Sequence, residues 1–261
     1  MPEATNIAEE LHALCVRLDI TSDVQGDQFL AESFQVEAWS QDFFEVLSGI
    51  TERMDALLTL IDTLSIRDTV KANAKDHLGH MKRAFSRPAL VSPWRQHGQP
   101  CVAPPRRDPI LGLSAVLHTY DFDTPTQAEA AQIKADANEL LCWLEEFQLS
   151  EKDFIRECIV VGLRRFLFQI ERLEWFGWGG ATAGLKEVMG AYLALERGLD
   201  AEVHPQAVAL MKKVIAKLAL PLRLLARGRE IHDDGEFALL VLQNSLRIGA
   251  PAATYVAGLL T

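Results

Sequence analysis

The sequence lacks the motifs that identify most hydrolases, nucleotide-binding proteins and metalloproteases. It has no GxSxG, HExxH or cysteine–histidine pattern, and no P-loop or GxGxxG run. Its four cysteines are far apart and form no CxxC pair. We therefore expect reduced cysteines in the core of a soluble cytoplasmic protein, with no metal and no cofactor.

Long uncharged runs are also scarce. The closest candidate for a membrane span is 237–261, whose only charge is Arg247. It contains polar residues and a proline that are costly in hydrocarbon, so we expect no span. We expect a buried helix followed by an apolar tail that docks on this chain or on a partner, with Tyr255 as a contact. The start carries acids and no basic segment, so no signal peptide is expected.

The composition is that of a globular protein, with 49% hydrophobic and 24% charged residues in 261. The net charge of −10 argues against general nucleic-acid binding. Charge is spread unevenly: residues 1–62 carry −11, 63–110 carry +6, 111–153 carry −7 and 154–261 carry +2. Such alternation predicts charge-complementary contacts, within the chain or between chains.

Helical spacing of apolar residues dominates the first 86 residues. A first helix is predicted from Glu3 to Leu18, and Phe29 to Leu47 continue the helical phase, with Trp39 among the inward positions. From Leu47 to Leu64 the apolar steps are heptad-like. The run covers only two and a half heptads, which is too short to require a coiled coil, so an ordinary bundle seam is favoured. The next phase, 70–85, either continues a bent helix or forms a hairpin.

A proline-rich basic segment, 87–109, is the clearest break in the chain. It holds six of the eleven prolines, so we expect an extended or looped strap or linker. The alternative is an arm that contacts a partner through Trp94. The predicted organisation is therefore 1–86 as an acidic N-terminal helical region, 87–109 as the strap and 110–261 as a C-terminal helical bundle.

Helix signals recur in the second half. Thr124, Pro125 and Gln127 predict a capped helix start, and Ser150 predicts the next. That second helix should be central, with inward positions that include Phe154 and Cys158. Further helices are expected from Thr182 to Gly198 and from His204-Pro205 onward, bent at Pro221, with a last helix after Gly235. No run alternates over six residues, so the fold class is all-α: a multi-helix bundle with a long proline-rich connection.

Tryptophans and glycines alternate in the run IERLEWFGWGGATAGL, which spans 170–185. Glycines at 177, 179 and 180 suit a tight turn, and the spacing of Gly180 and Gly184 allows a second helix to approach. One interpretation is a tightly packed helical corner. The other is a partner-binding surface formed by Trp175 and Trp178, because tryptophan is enriched at interface hot spots.

Histidines offer only weak candidate sites. Asp76, His77 and His80 share a helical stretch, as expected of a solvated polar face. The run Arg227-Gly-Arg-Glu-Ile-His232 resembles the RxxxxH pattern of HEPN ribonucleases, a family of small all-α proteins. That resemblance implies metal-independent RNA cleavage in a dimer. Arg227 would hold a phosphate and His232 would help to move a proton.

The sequence favours a non-enzymatic function. The uneven charge, the basic strap, the aromatic–glycine run and the apolar tail together predict a helical interaction or scaffold protein. It would act as a homo-oligomer or as a subunit of a larger assembly. The alternative is a HEPN-like ribonuclease with RNA as its partner.

Overall fold

The chain forms an almost entirely helical structure, known here from a computed structural model that describes residues 4–146, 153–197 and 205–227. This confirms the predicted all-α class. The elements are β1 (Ala4–Thr5), α1 (Ile7–Leu18), α2 (Gly26–Phe34), α3 (Gln41–Thr63), α4 (Asp68–Arg83), α5 (Arg87–Leu90), α6 (Trp94–His97), α7 (Gln99–Val102), α8 (Pro104–Leu111), α9 (Ser114–Leu117), a 3₁₀ turn (His118–Tyr120), β2 (Phe122–Asp123), α10 (Gln127–Glu146), α11 (Asp153–Glu171), α12 (Leu173–Arg197) and α13 (Pro205–Arg227).

The chain divides into two compact units, and the division differs from the predicted one. The N-terminal unit comprises Thr5–Tyr120 and Arg172–Gly177. The C-terminal unit comprises Met1–Ala4, Asp121–Glu171 and Trp178–Thr261, as far as these ranges are described. The predicted strap, 87–109, thus lies inside the N-terminal unit.

Side-chain caps define where several helices of the N-terminal unit begin. The Asn6 side chain accepts hydrogen bonds from the backbone N–H groups of Ala8 and Glu9, so α1 begins at Ile7 rather than at Glu3. Ser40 caps α3 in the same way by accepting from Phe43 N at 3.1 Å. The heptad-like positions of α3 and Leu64 after it are all buried, as predicted. The chain turns at 64–67, so α3 and α4 are two packed helices and not one bent helix.

The proline-rich segment is helical, contrary to the prediction of an extended strap. Its prolines stand mostly at the first or second positions of short helices, where the missing N–H would have no intrahelical partner. Trp94 fixes the segment to the core. Its ring stacks on Phe29 at 4.7 Å, and its indole N–H donates to Leu18 O at 3.0 Å. Gly98 is required beneath the ring, since a Cβ there would stand 2.0 Å from a Trp94 ring carbon.

The C-terminal unit packs α11 and α13 against α10. Helix α10 begins two residues later than predicted, because the capping box is formed by Thr126 and Glu129: the Thr126 hydroxyl accepts from Glu129 N, and the Glu129 carboxylate accepts from Thr126 N. Lys217 of α13 donates to Asp136 at 2.9 Å and to Glu139 at 2.6 Å on α10. The predicted cap at Ser150, the stop at Gly198 and the helix after Gly235 lie outside the described residues.

Close backbone approach joins α11 to α12 within this unit. A Cβ on Gly184 would stand 2.7 Å from Phe166 N, and a Cβ on Gly162 would stand 2.8 Å from Val188 Cγ2. Gly184 therefore makes a close helix contact inside the chain, as its spacing from Gly180 allowed, whereas the contact of Gly162 was not foreseen. Helix α12 does not begin at Thr182, because 178–181 are already helical and the Thr182 hydroxyl donates to Gly179 O.

Candidate functional site

The tryptophans predicted to bind a partner lie in the interior of the described structure. Trp94, Trp175 and Trp178 are all buried. Trp175 meets Phe34 edge-on, with ring centroids 4.9 Å apart. Their burial fits the interpretation of the aromatic–glycine run as a packed corner, and it leaves none of the three indoles as an anchor on the described surface.

The corner depends on one glycine. Gly177 has φ +66° and ψ 171°, a conformation that residues with a Cβ rarely adopt. It is the only described glycine with positive φ, so the predicted special torsions at Gly179 and Gly180 are wrong. At this point the chain passes from the N-terminal to the C-terminal unit, with Trp175 on one side and Trp178 on the other.

A buried arginine holds the corner within the N-terminal unit. The side chain of Arg53 is 7% exposed. Its Nη1 donates to Trp175 O at 2.7 Å and its Nη2 to Glu10 Oε2 at 2.8 Å. The bond from Nη1 fixes the Trp175 carbonyl at the turn, and the bond from Nη2 pairs the buried guanidinium with a carboxylate.

The remaining predicted site residues are placed as follows. Gly180 is half-buried on α12, while Arg227 is the last residue of α13 and its side chain is not described. His232 and Tyr255 lie outside the described residues. The RxxxxH resemblance and the role of the tail therefore stay predictions.

An exposed aromatic pair is the most unusual surface feature of the N-terminal unit. Trp39 and Phe44 are each 48% exposed, and their ring centroids lie 5.9 Å apart. Phe43, which is fully buried, lies against both rings and joins the pair to the core. We refer to Trp39, Phe44 and the exposed carboxylates Glu32, Glu37 and Asp42 as the Trp39 surface.

The backbone that carries Trp39 is strained at two positions. Gln35 has φ +57° at the C-terminal cap of α2, and Trp39 has φ +64°. The second lies in a turn closed by a hydrogen bond from Ser40 N to Glu37 O, where glycine is the ordinary residue. A bulky residue in this region costs about 1–3 kcal/mol and is maintained only by its surroundings.

Those surroundings fix the indole. Trp39 Nε1 donates to Asp27 Oδ2 at 2.6 Å, and the other oxygen of this buried carboxylate accepts from Gln28 N. A shallow groove lies beside the turn, lined in part by Gln28, Val36 and Ala38. The surface thus offers a held, half-exposed indole next to a groove.

The segment that carries the pair is acidic. Glu32, Glu37 and Asp42 are exposed on it, and the sequence has no lysine or arginine between Arg17 and Arg53. Arg172 reaches the area from the corner segment, but it donates to the carbonyl oxygens of Phe34 and Gln35. An acidic rim around exposed aromatic rings suits a partner that carries both positive charge and apolar side chains.

The apolar spacing of 29–47 places Trp39 on the inward face of one long helix, so it does not predict this surface. The signal was present in Ser40, whose hydroxyl is a strong helix cap and marks a new start at Gln41. A break before Ser40 places Trp39 in a connecting turn rather than on the inward face of a helix.

The described residues contain no group of three or more histidine, cysteine, aspartate or glutamate side chains arranged to hold a metal ion. No helix within 4–146, 153–197 or 205–227 is long and apolar enough to cross a membrane. Comparison of the chain with known protein families, with curated proteins and with solved structures finds no match.

Proposed function

We propose that this protein is a non-enzymatic interaction protein that binds a basic, amphipathic segment of another protein at the Trp39 surface. The observation that carries the proposal is a half-exposed tryptophan fixed by a buried carboxylate on a strained turn. Interfaces concentrate their binding energy in such rigid aromatic anchors. Natural sequences retain backbone strain mainly where it serves a function.

Charge determines the class of partner. The exposed acids around Trp39 and Phe44 would repel an acidic segment and attract lysines and arginines. Apolar side chains of the partner would cover the two rings and the groove beside them. The four free cysteines support a reducing, cytoplasmic location for this encounter.

The test is a peptide-display selection on the full chain, followed by binding measurements with the selected synthetic peptides. We expect the peptides to be enriched in Lys or Arg together with aromatic or aliphatic residues. Trp39→Ala and Phe44→Ala should each weaken binding at least tenfold. Val70→Ala is the matched control, since Val70 is 44% exposed on α4 of the same unit.

Two results would overturn the proposal. One is selection of peptides without basic residues. The other is equal binding by the wild type and the Trp39→Ala and Phe44→Ala variants, when circular dichroism shows that both variants are folded. Binding should also weaken as salt is raised, because the contribution of exposed charges is screened.

A further inference from the structure

A second exposed apolar stripe runs along α11 in the C-terminal unit. Phe154 is 64% exposed, Val161 is 61% exposed and Cys158 is exposed between them. The prediction that Phe154 and Cys158 face inward is therefore wrong. Their helical phase is offset from that of Ile159, Leu163 and Phe166, which are the residues that α11 buries.

The stripe has the spacing of a helix-pairing seam. Phe154, Cys158, Val161 and Arg165 step by four, three and four residues, so they fall within an arc of about 60° around the helix. Steps of four and three are those of the a and d positions in paired helices. Glu157 and Arg164, seven residues apart, flank this seam on the same side.

The charges along α11 make the seam self-complementary in one direction only. A second copy packed antiparallel, with the two-fold axis near residues 159–160, would place Cys158 opposite Val161. It would also place Phe154 opposite the guanidinium of Arg165. The same register would bring Glu157 opposite Arg164, twice by symmetry. A parallel copy would instead place Arg165 opposite Arg165, with like charges in contact.

The arginines already have acidic neighbours that orient them. Arg164 Nη2 lies 2.8 Å from Glu145 of α10, and Arg165 pairs with Glu187 of α12. The side chain of Arg164 remains 61% exposed and that of Arg165 43% exposed. These contacts leave the guanidinium groups at the surface, beside the stripe.

We infer that α11 is a homodimer interface, in which two copies of the chain pair antiparallel through Phe154, Cys158 and Val161. The opposed pairs of Glu157 and Arg164 set the direction and the register. This interface is separate from the Trp39 surface and does not depend on the function proposed for it.

The test is the solution mass of the full chain by light scattering and sedimentation equilibrium over a concentration series. We expect a concentration-dependent dimer that Val161→Asp converts to a monomer. Val70→Asp is the matched control and should leave the mass unchanged. A wild-type monomer at every concentration would overturn the inference, as would a dimer that Val161→Asp leaves intact.

A charge-reversal cycle tests direction and register, and it covers the case in which Val161→Asp impairs folding. Glu157→Arg and Arg164→Glu should each weaken dimerisation roughly tenfold, because like charges then oppose each other twice. The double reversal should restore the wild-type dimer. Reversals without effect on the mass, or a double variant weaker than either single one, would exclude this antiparallel register.

Peptide binding and solution mass also separate the two proposals. Trp39→Ala should leave the dimer unchanged, and Val161→Asp should leave binding of the selected basic peptide unchanged. Loss of the dimer with Trp39→Ala would overturn the assignment to α11.

Discussion

Replacing Gly177 by alanine tests how the corner is held. A Cβ at this position would stand 2.2 Å from Glu10 Oε2 and 2.7 Å from Arg53 Cζ and Nη2. The side chain of Arg53 cannot withdraw without losing its bonds to Glu10 and to the Trp175 carbonyl. The substitution therefore adds a backbone strain and displaces a buried ion pair.

The magnitude follows from these two effects. A residue with a Cβ at this φ and ψ costs about 1–3 kcal/mol. Removing one partner from a buried ion pair costs about 3–5 kcal/mol, and displacement without deletion should cost about half of that. We expect the N-terminal unit to lose roughly 3–5 kcal/mol, a large part of a typical stability of about 5–15 kcal/mol.

Gly179 provides the matched control two residues away. It is exposed, and a Cβ there would meet nothing within 4 Å. Gly179→Ala should be neutral, or stabilising by about 0.5–1 kcal/mol, because alanine favours a helix. Guanidinium unfolding followed by far-ultraviolet circular dichroism measures both variants. Equal unfolding free energies for the two variants would refute the role assigned to Gly177.

Three further experiments test other parts of the fold: a glycine substitution with its control, cysteine labelling, and the pH dependence of stability. Gly184→Ala should destabilise the C-terminal unit by about 1–3 kcal/mol, since its Cβ would meet the Phe166 backbone. Gly190→Ala is the control and should not destabilise it, because a Cβ there would have open space around it. Equal thermal midpoints for the two variants would contradict this prediction. Burial raises the pKa of the Cys15 thiol to about 12, although the charge of Arg107 partly opposes this effect. Iodoacetamide should therefore label the exposed Cys142 in the native protein and should label Cys15 only after unfolding. Because the folded state keeps this thiol neutral, the contribution of Cys15 to stability is present below pH 9 and is lost between pH 9 and 12. A Cys15→Ala variant should therefore lose less unfolding free energy than the wild type over that interval.

Local patterns in the sequence determined the fold class and much of the core. The apolar steps from Leu47 to Leu64 predicted a buried helix face, because a helix places residues three and four apart on one side. The glycine–tryptophan run predicted a tight corner, since only glycine adopts positive φ without strain. The contact made by Gly184 was also predicted, although its partner was not.

Tertiary structure decided what local patterns leave open. The prolines of 87–109 are compatible both with a loop and with the first turns of short helices, and the burial of Trp94 selects the helices. The helical phase of α11 admits two faces, and packing against α10 and α12 buries one of them and leaves Phe154 and Val161 exposed. Trp39 lies in a strained turn because Asp27, twelve residues earlier, holds its indole. Burial and side-chain pairing depend on which distant segments meet, and a periodicity within one segment carries no information about that.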